Sequence, residues 1–294
     1  LLLTVQQQVI ERLGRVGVAA RQAVESVLVG QHRSLRRGLS VEFAGHRPYQ
    51  PGDDLRRLDW TVYARSDRFD VRQYEEETRL RATLIVDCSG SMAYGSRGGT
   101  KLDYARQLAA ALGFLMVRQA DAVGLATCDT AVREHLPPAG TMAHLMNALD
   151  RLEATVAGGE TSLGAVITEL AGRISRRGLV VLISDCFDDP DRLLMALRLL
   201  RHRRQDVRVY QIVDPAEDEF PHQGVVEFIG LEHEPRLRLD ADRVRAWYRE
   251  AMVTHRRRLA EGCHAMQVQF ETARTDEDLA SVLVRSLTGQ RAGR

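Results

Sequence analysis

The chain has 294 residues, enough for one large domain or a domain with a sizeable appendage. Hydrophobic residues make up 44%, which supplies a core and excludes a disordered chain, while a net charge of +1 gives no global pull toward nucleic acid. Cys88, Cys128, Cys186 and Cys263 form no CxxC pair, which excludes a zinc ribbon or a disulfide framework and fits reduced, buried thiols in a cytoplasmic protein.

In chain order, the apolar residues between Val5 and Val29 have helical spacing, weakened by Gly14 and Gly17. Leu1-Leu2-Leu3 lacks the basic flank and cleavage-like site of a signal peptide. No stretch approaches the roughly 18–20 apolar residues of a membrane-spanning helix. Leu39 to Tyr49 alternates like a half-exposed strand, and Tyr49-Gln50-Pro51-Gly52-Asp53-Asp54 has the composition of a turn. Phe69 to Tyr74 reads as a second short strand. The acids Glu75-Glu76-Glu77 have the composition of a cation site, but such runs are more often a solvated shoulder.

From Arg81 the pattern changes to alternating strands and helices. Leu84-Ile85-Val86-Asp87 is a buried strand running into an aspartate, followed by Ser89 and Ser91. Thr100 with Asp103 reads as a loose capping box for a helix to about Ala120. Ala122 to Cys128 is a strand, and Ala131 to Leu136 an edge strand that Pro137-Pro138 should stop. Met142 to Leu152 is helical, and the Gly158-Gly159-Glu160-Thr161-Ser162 loop enters another helix near Leu163.

Leu179 to Ser184 is the second strongly apolar strand, and it too ends in an acid, Asp185. A helix from Arg192 to Arg203 and a strand from Val207 to Val213 follow. Val225 to Leu231 and Arg236 to Leu239 suggest a hairpin. Asp240 to Glu261 is a long helix, Met266 to Phe270 a final strand, and Asp278 to Leu287 a closing helix capped by Thr275 or Asp276. Strands separated by helices predict an α/β fold, a doubly wound, mainly parallel sheet of Rossmann type. Residues 81–290 form the expected main domain, with a small hairpin insertion near 222–240. Residues 1–80 form an N-terminal helical and β extension. The arginine clusters at Arg33-Arg37, Arg201-Arg204 and Arg256-Arg258 read as charged helix faces or ends.

Ligands bind such sheets at the carboxyl ends of the strands, where Asp87 and Asp185 stand. If their strands are neighbours, Asp87, Ser89, Ser91, Thr161 and Asp185 converge as an all-oxygen set. That chemistry suits magnesium, manganese or calcium better than zinc. The Asp87-x-Ser89-x-Ser91 motif, the lone Thr161 and Ser184-Asp185 resemble the metal-ion-dependent adhesion site (MIDAS) of von Willebrand factor A domains, matched at every position. The resemblance implies a Mg2+ (or Mn2+ or Ca2+) ion that keeps one position open for an Asp or Glu carboxylate of a partner protein.

A second resemblance covers the approach to this domain. Tyr49, Pro51, Gly52, Asp53 and Asp54, then Asp59, Trp60, Ala64 and Arg65, look like the signature of the bacterial domain-of-unknown-function family fifty-eight. That family is associated with MoxR-type AAA+ ATPases, so the resemblance implies an ATPase partner and a non-enzymatic adaptor working in assembly, maturation or stress-related regulation. Asp59 could pair with Arg65 or Arg56, and Trp60 has the character either of a clasp on a sheet edge or of an interface residue.

The rival reading is an enzyme. A haloacid-dehalogenase-like phosphotransferase, or another metal-dependent hydrolase, would use an aspartate placed like Asp87. The phosphotransferase needs a second aspartate two residues on as general acid, where this chain has Ser89. GxGxxG, GxxxxGK[ST] and GxSxG are absent, which argues against dinucleotide, P-loop and serine-hydrolase chemistry.

Overall fold

The computed structural model describes residues 43–48, 62–63, 69–74, 80–97, 99–174, 176–232 and 236–288. The expected helix between Val5 and Val29, the Tyr49–Asp54 turn, Asp59, Trp60 and the Glu75–Glu77 run lie outside these residues. The described chain divides into two compact units, one within Leu28–Arg79 and one from Leu80 onward. In the smaller unit, β1 (Phe43–Pro48) pairs antiparallel with β2 (Asp70–Tyr74), and Tyr63 stacks on Phe69.

The larger unit is built on a six-stranded sheet. Its elements are β3 (Arg81–Asp87), a 3-10 turn (Gly90–Ala93), α1 (Lys101–Arg118), β4 (Ala122–Cys128), β5 (Val132–Ala139), α2 (Met142–Ala154) and α3 (Leu163–Arg173). There follow β6 (Leu179–Ser184), α4 (Pro190–His202), β7 (Asp206–Val213) and α5 (Pro215–Glu219). The hairpin β8 (Val225–Phe228) and β9 (Leu237–Asp240), then α6 (Ala241–Ala265), β10 (Gln269–Arg274) and α7 (Leu279–Thr288), complete the unit. The sheet order is β10-β7-β6-β3-β4-β5, parallel throughout except for the antiparallel edge pair β4–β5.

This order places the site. The chain leaves β3 toward β4 and β5, then crosses back to lay β6 on the other side of β3. Strand order therefore reverses between β3 and β6, and open α/β sheets have their ligand crevice at that switch, outside the strand carboxyl ends. Helices cover both faces of the sheet, so β3, β4 and β6 are apolar along almost their whole length. On one face, Ile85, Val180, Leu182 and Val209 pack with Leu163, Ile167 and Leu170 of α3, Leu193 and Leu197 of α4, and Leu259 of α6. The other face is covered by α1, with α2 and α7 beside it. Each fully buried leucine or isoleucine of this kind contributes about 1.5–3 kcal/mol.

Three expected boundaries shift. First, β5 runs through Pro137 and Pro138 to Ala139, because it is an edge strand whose register breaks there. Its prolines close on Gly124 of β4, where a Cβ would stand 2.5 Å from the Leu136 carbonyl oxygen. Second, the last strand begins at Gln269 rather than Met266, since α6 continues to Ala265 and Gln267 turns the chain with φ of 57°. Third, Thr275 and Asp276 are occupied away from the start of α7: Thr275 donates to Asp214, and Asp276 pairs with Arg274. Three members of the arginine clusters are held by acids, Arg201 by Asp206, Arg256 by Asp218 and Arg258 by Asp191. No described helix is long and apolar enough to cross a membrane.

Candidate functional site

The central strand β3 delivers Asp87 fully buried at its carboxyl end. The chain turns back at once: the Ser89 amide donates to Asp87 Oδ1 at 2.9 Å, and a 3-10 turn begins at Gly90. Short polar side chains favour such self-capped turns. The turn leaves the hydroxyls of Ser89 and Ser91 3.2 Å apart.

The loop carrying Thr161 is tied to the same turn by backbone. Gly90 N–H donates to the Gly159 carbonyl and Gly158 N–H to the Cys88 carbonyl, both at 2.9 Å. Gly159 has φ of 79°, a conformation glycine adopts without steric cost. From outside, Arg133 holds the loop through the carbonyls of Val156 and Gly158, each 2.6 Å away, while its Nε donates to Asp129.

The neighbouring strand β6 brings Ser184 and Asp185. Ser184 Oγ donates to Asp87 Oδ2 at 2.6 Å and accepts from the Cys186 amide at 2.8 Å, so its proton is aimed at the aspartate. Asp185 Oδ1 accepts from the Phe187 amide, and Gln211 of β7 donates to the Asp185 carbonyl. Cys186, immediately after Asp185, has φ of 61°, a left-handed conformation that costs energy outside glycine and recurs at functional turns.

Three further residues, unforeseen from the sequence, complete the arrangement. Lys101, the first residue of α1, is wholly buried, and its ammonium lies 2.7 Å from Asp185 Oδ2 and 2.6 Å from Glu217 Oε1. It also sits 4.7 Å from the centre of the Phe187 ring, a cation–π contact. The capping box foreseen at Thr100 and Asp103 is present and fixes the helix start that carries it. Glu217 comes from α5, a single turn that the sequence pattern did not reveal. The third residue is Glu232, from the segment between β8 and β9. Its Oε1 accepts from the Thr161 hydroxyl at 2.7 Å and the Ser91 amide at 3.0 Å, and its Oε2 accepts from the Thr161 amide at 2.9 Å. Nothing in the local pattern around Leu231-Glu232 marks it.

Burial pushes the Asp87 carboxyl up to about 7, and the adjacent Asp185 carboxylate adds to the rise. Burial pulls the Lys101 ammonium down, but Asp185 and Glu217 outweigh it and hold the group above the ordinary lysine value. Burial likewise raises Glu217, against the pull of Lys101. Burial first, and Asp87 second, push the Cys88 thiol up to about 12, so it is inert rather than nucleophilic.

All five residues singled out in sequence thus stand around one sheet rim. Asp87, Ser89 and Ser91 share a turn, and Asp185 lies near enough to perturb Asp87. Thr161 is joined to Ser91 through a single Glu232 oxygen. The donor chemistry fits a hard divalent cation. Each carboxylate oxygen that accepts a hydrogen bond keeps a second lone pair, and each hydroxyl can ligate through oxygen while donating its proton. Two carboxylates, Asp185 and Glu217, share the Lys101 ammonium, while Asp87 and Glu232 are held by hydroxyls and backbone amides of the surrounding turns. Among the described residues no three His, Cys, Asp or Glu side chains are grouped to hold a metal by themselves. Any ion here would therefore lean on the hydroxyls.

Comparison with known proteins agrees with this architecture. An uncharacterized protein of Mycobacterium tuberculosis (strain H37Rv) is 31% identical over 287 residues, 94% of this chain and 88% of that protein. One of Mycobacterium bovis matches with the same identity and coverage. Among solved structures, the conserved hypothetical protein BatB of Bacteroides thetaiotaomicron superimposes with a TM-score of 0.50 at 14% identity, covering 72% of this chain and 98% of that one. That likeness is one of fold, and the larger unit is a von Willebrand factor A-like α/β sheet. The family model described as "Protein of unknown function DUF58" matches residues 45–258, and the chain belongs to that family.

Proposed function

We propose that this protein is a non-enzymatic, divalent-metal-dependent protein-binding module. Asp87, Ser89, Ser91, Thr161 and Asp185 would hold Mg2+, or Mn2+ or Ca2+ in its place. When bound, the ion supplies a positive centre that attracts a carboxylate. The chain's own residues do the rest. Ser184 orients Asp87, Lys101 balances Asp185, and Arg133 steadies the loop that carries Thr161.

The observation that carries this reading is the convergence of the Ser89 and Ser91 hydroxyls, 3.2 Å apart, with Asp87 below them and Thr161 beside them at the strand-order switch. The ligand such a site takes is an Asp or Glu carboxylate of a partner protein. A MoxR-type AAA+ ATPase is the partner that the family resemblance implies, with residues 1–80 as a family-specific extension and 81–290 as the binding domain. Four free, buried cysteines fit a cytoplasmic place of action.

The test is a pull-down from cell extract, with magnesium and with chelator, comparing wild type with Asp87→Ala. Magnesium-dependent capture of an AAA+ ATPase that is lost in the variant is the expected result. Capture indifferent to both metal and Asp87 would contradict it, as would phosphatase turnover abolished by Asp87→Asn.

A further inference from the structure

We infer that Glu232 is a ligand the chain supplies to its own metal site, so that a partner's carboxylate gains entry by displacing it. The inference rests on the reading of the five-residue set as a divalent-cation site, and it names what faces the ion before a partner arrives. Its basis is the way Glu232 is received. One oxygen bridges the Thr161 hydroxyl and the Ser91 amide, and the other is held by the Thr161 amide. These groups come from loops 71 and 141 residues away in sequence; all three belong to the turns that present the hydroxyl ligands, and two of them are backbone amides. A carboxylate seated on those backbone amides is already beside the ligating hydroxyls. The Thr161 hydroxyl can keep donating to it while its oxygen faces a cation.

The seat is built rather than incidental. The Leu231 carbonyl oxygen lies 2.2 Å from where a Cβ on residue 90 would stand, so the segment before Glu232 rests on the turn only because that residue is glycine. The hairpin is anchored on its other side as well, where the Ala241 amide donates to the Gly224 carbonyl and Asp242 accepts from the Gly224 amide. The chemistry points the same way: a carboxylate held on the Ser91 amide and the Thr161 hydroxyl is the kind of oxygen donor a hard divalent cation takes. An acid delivered from the β8–β9 hairpin thus matches in kind the acid proposed for a partner, and the two compete for one place.

Manganese reports this directly. Purified wild type, Glu232→Ala and Glu232→Gln are loaded with Mn2+, and the exchangeable waters on the bound ion are counted by water-proton relaxation while acetate is titrated. Wild type should carry about one water fewer than Glu232→Ala, because the carboxylate fills a coordination position. Acetate should displace a water from Glu232→Ala at concentrations at least tenfold lower than wild type requires. Glu232→Gln keeps the shape of the side chain and should shift in the same direction, so the comparison survives poor folding of the alanine variant. Equal hydration and equal acetate response, with Mn2+ bound in all three, would overturn this inference and leave the metal site standing. Failure of Mn2+ to bind any of them would remove the metal reading and this inference with it.

Discussion

Lys101 places its ammonium 2.7 Å from a carboxylate oxygen of Asp185, and both side chains are fully buried. The pair couples the start of α1 to the end of β6 beneath the site, and Glu217 of α5 shares the same ammonium at 2.6 Å. Removing one partner of a buried ion pair strands the other charge, at a cost of about 3–5 kcal/mol. Lys101→Met should therefore lose about that much in urea unfolding, and adding Glu217→Gln should recover part of it. A loss below about 1 kcal/mol would mean that Asp185 and Glu217 find other partners.

The pH dependence follows from Asp87. Its carboxyl is raised by burial from 3.8 unfolded to about 7 folded. The metal-free fold thus binds an extra proton between those values, and its stability from this group is full below about pH 4 and lost as pH rises through 7. A cation needs the ionised form, so magnesium should add little stability at pH 6 and much more at pH 8. Thermal melts across this range, with and without magnesium, check the sign. Asp87→Asn should flatten both trends, whereas a magnesium effect that grows toward acid pH would contradict the assignment.

Gly90 gives a steric prediction. A methyl group there meets the Leu231 carbonyl at 2.2 Å, and backbone must move to admit it. Gly90→Ala should cost about 1–3 kcal/mol, the usual range for overpacking. It should also make the segment between β8 and β9 cut faster in limited proteolysis, with the sheet left intact by circular dichroism. Unchanged cleavage would show that the hairpin does not depend on its rest against the turn.

How much of this was legible in sequence depended on range. The strands β3 and β6 read clearly because parallel strands covered on both faces are continuous apolar runs, and the first polar residues after them, Asp87 and Ser184-Asp185, mark the rim. Thr161 followed from a Gly-Gly turn, and the Thr100–Asp103 box from local spacing. What failed to read is what the tertiary fold decides. Pro137 and Pro138 stay within a strand only because Gly124 lies opposite. Lys101 looks like an ordinary first-turn lysine, and only the approach of β6 and α5 turns it into a buried counter-charge. Glu232 reaches its partners across 71 and 141 residues, and no local pattern encodes a contact of that span.

The central claim is that three loops over one sheet rim grip a hard divalent ion through Asp87, Ser89, Ser91, Thr161 and Asp185. The most direct measurement is the magnesium-dependent stability of wild type beside Asp87→Ala. At a hundredfold excess over Kd, the wild type should gain about 2.7 kcal/mol and Asp87→Ala nothing. A wild type that melts identically in millimolar magnesium and in chelator, or an Asp87→Ala variant that keeps the full shift, would contradict it.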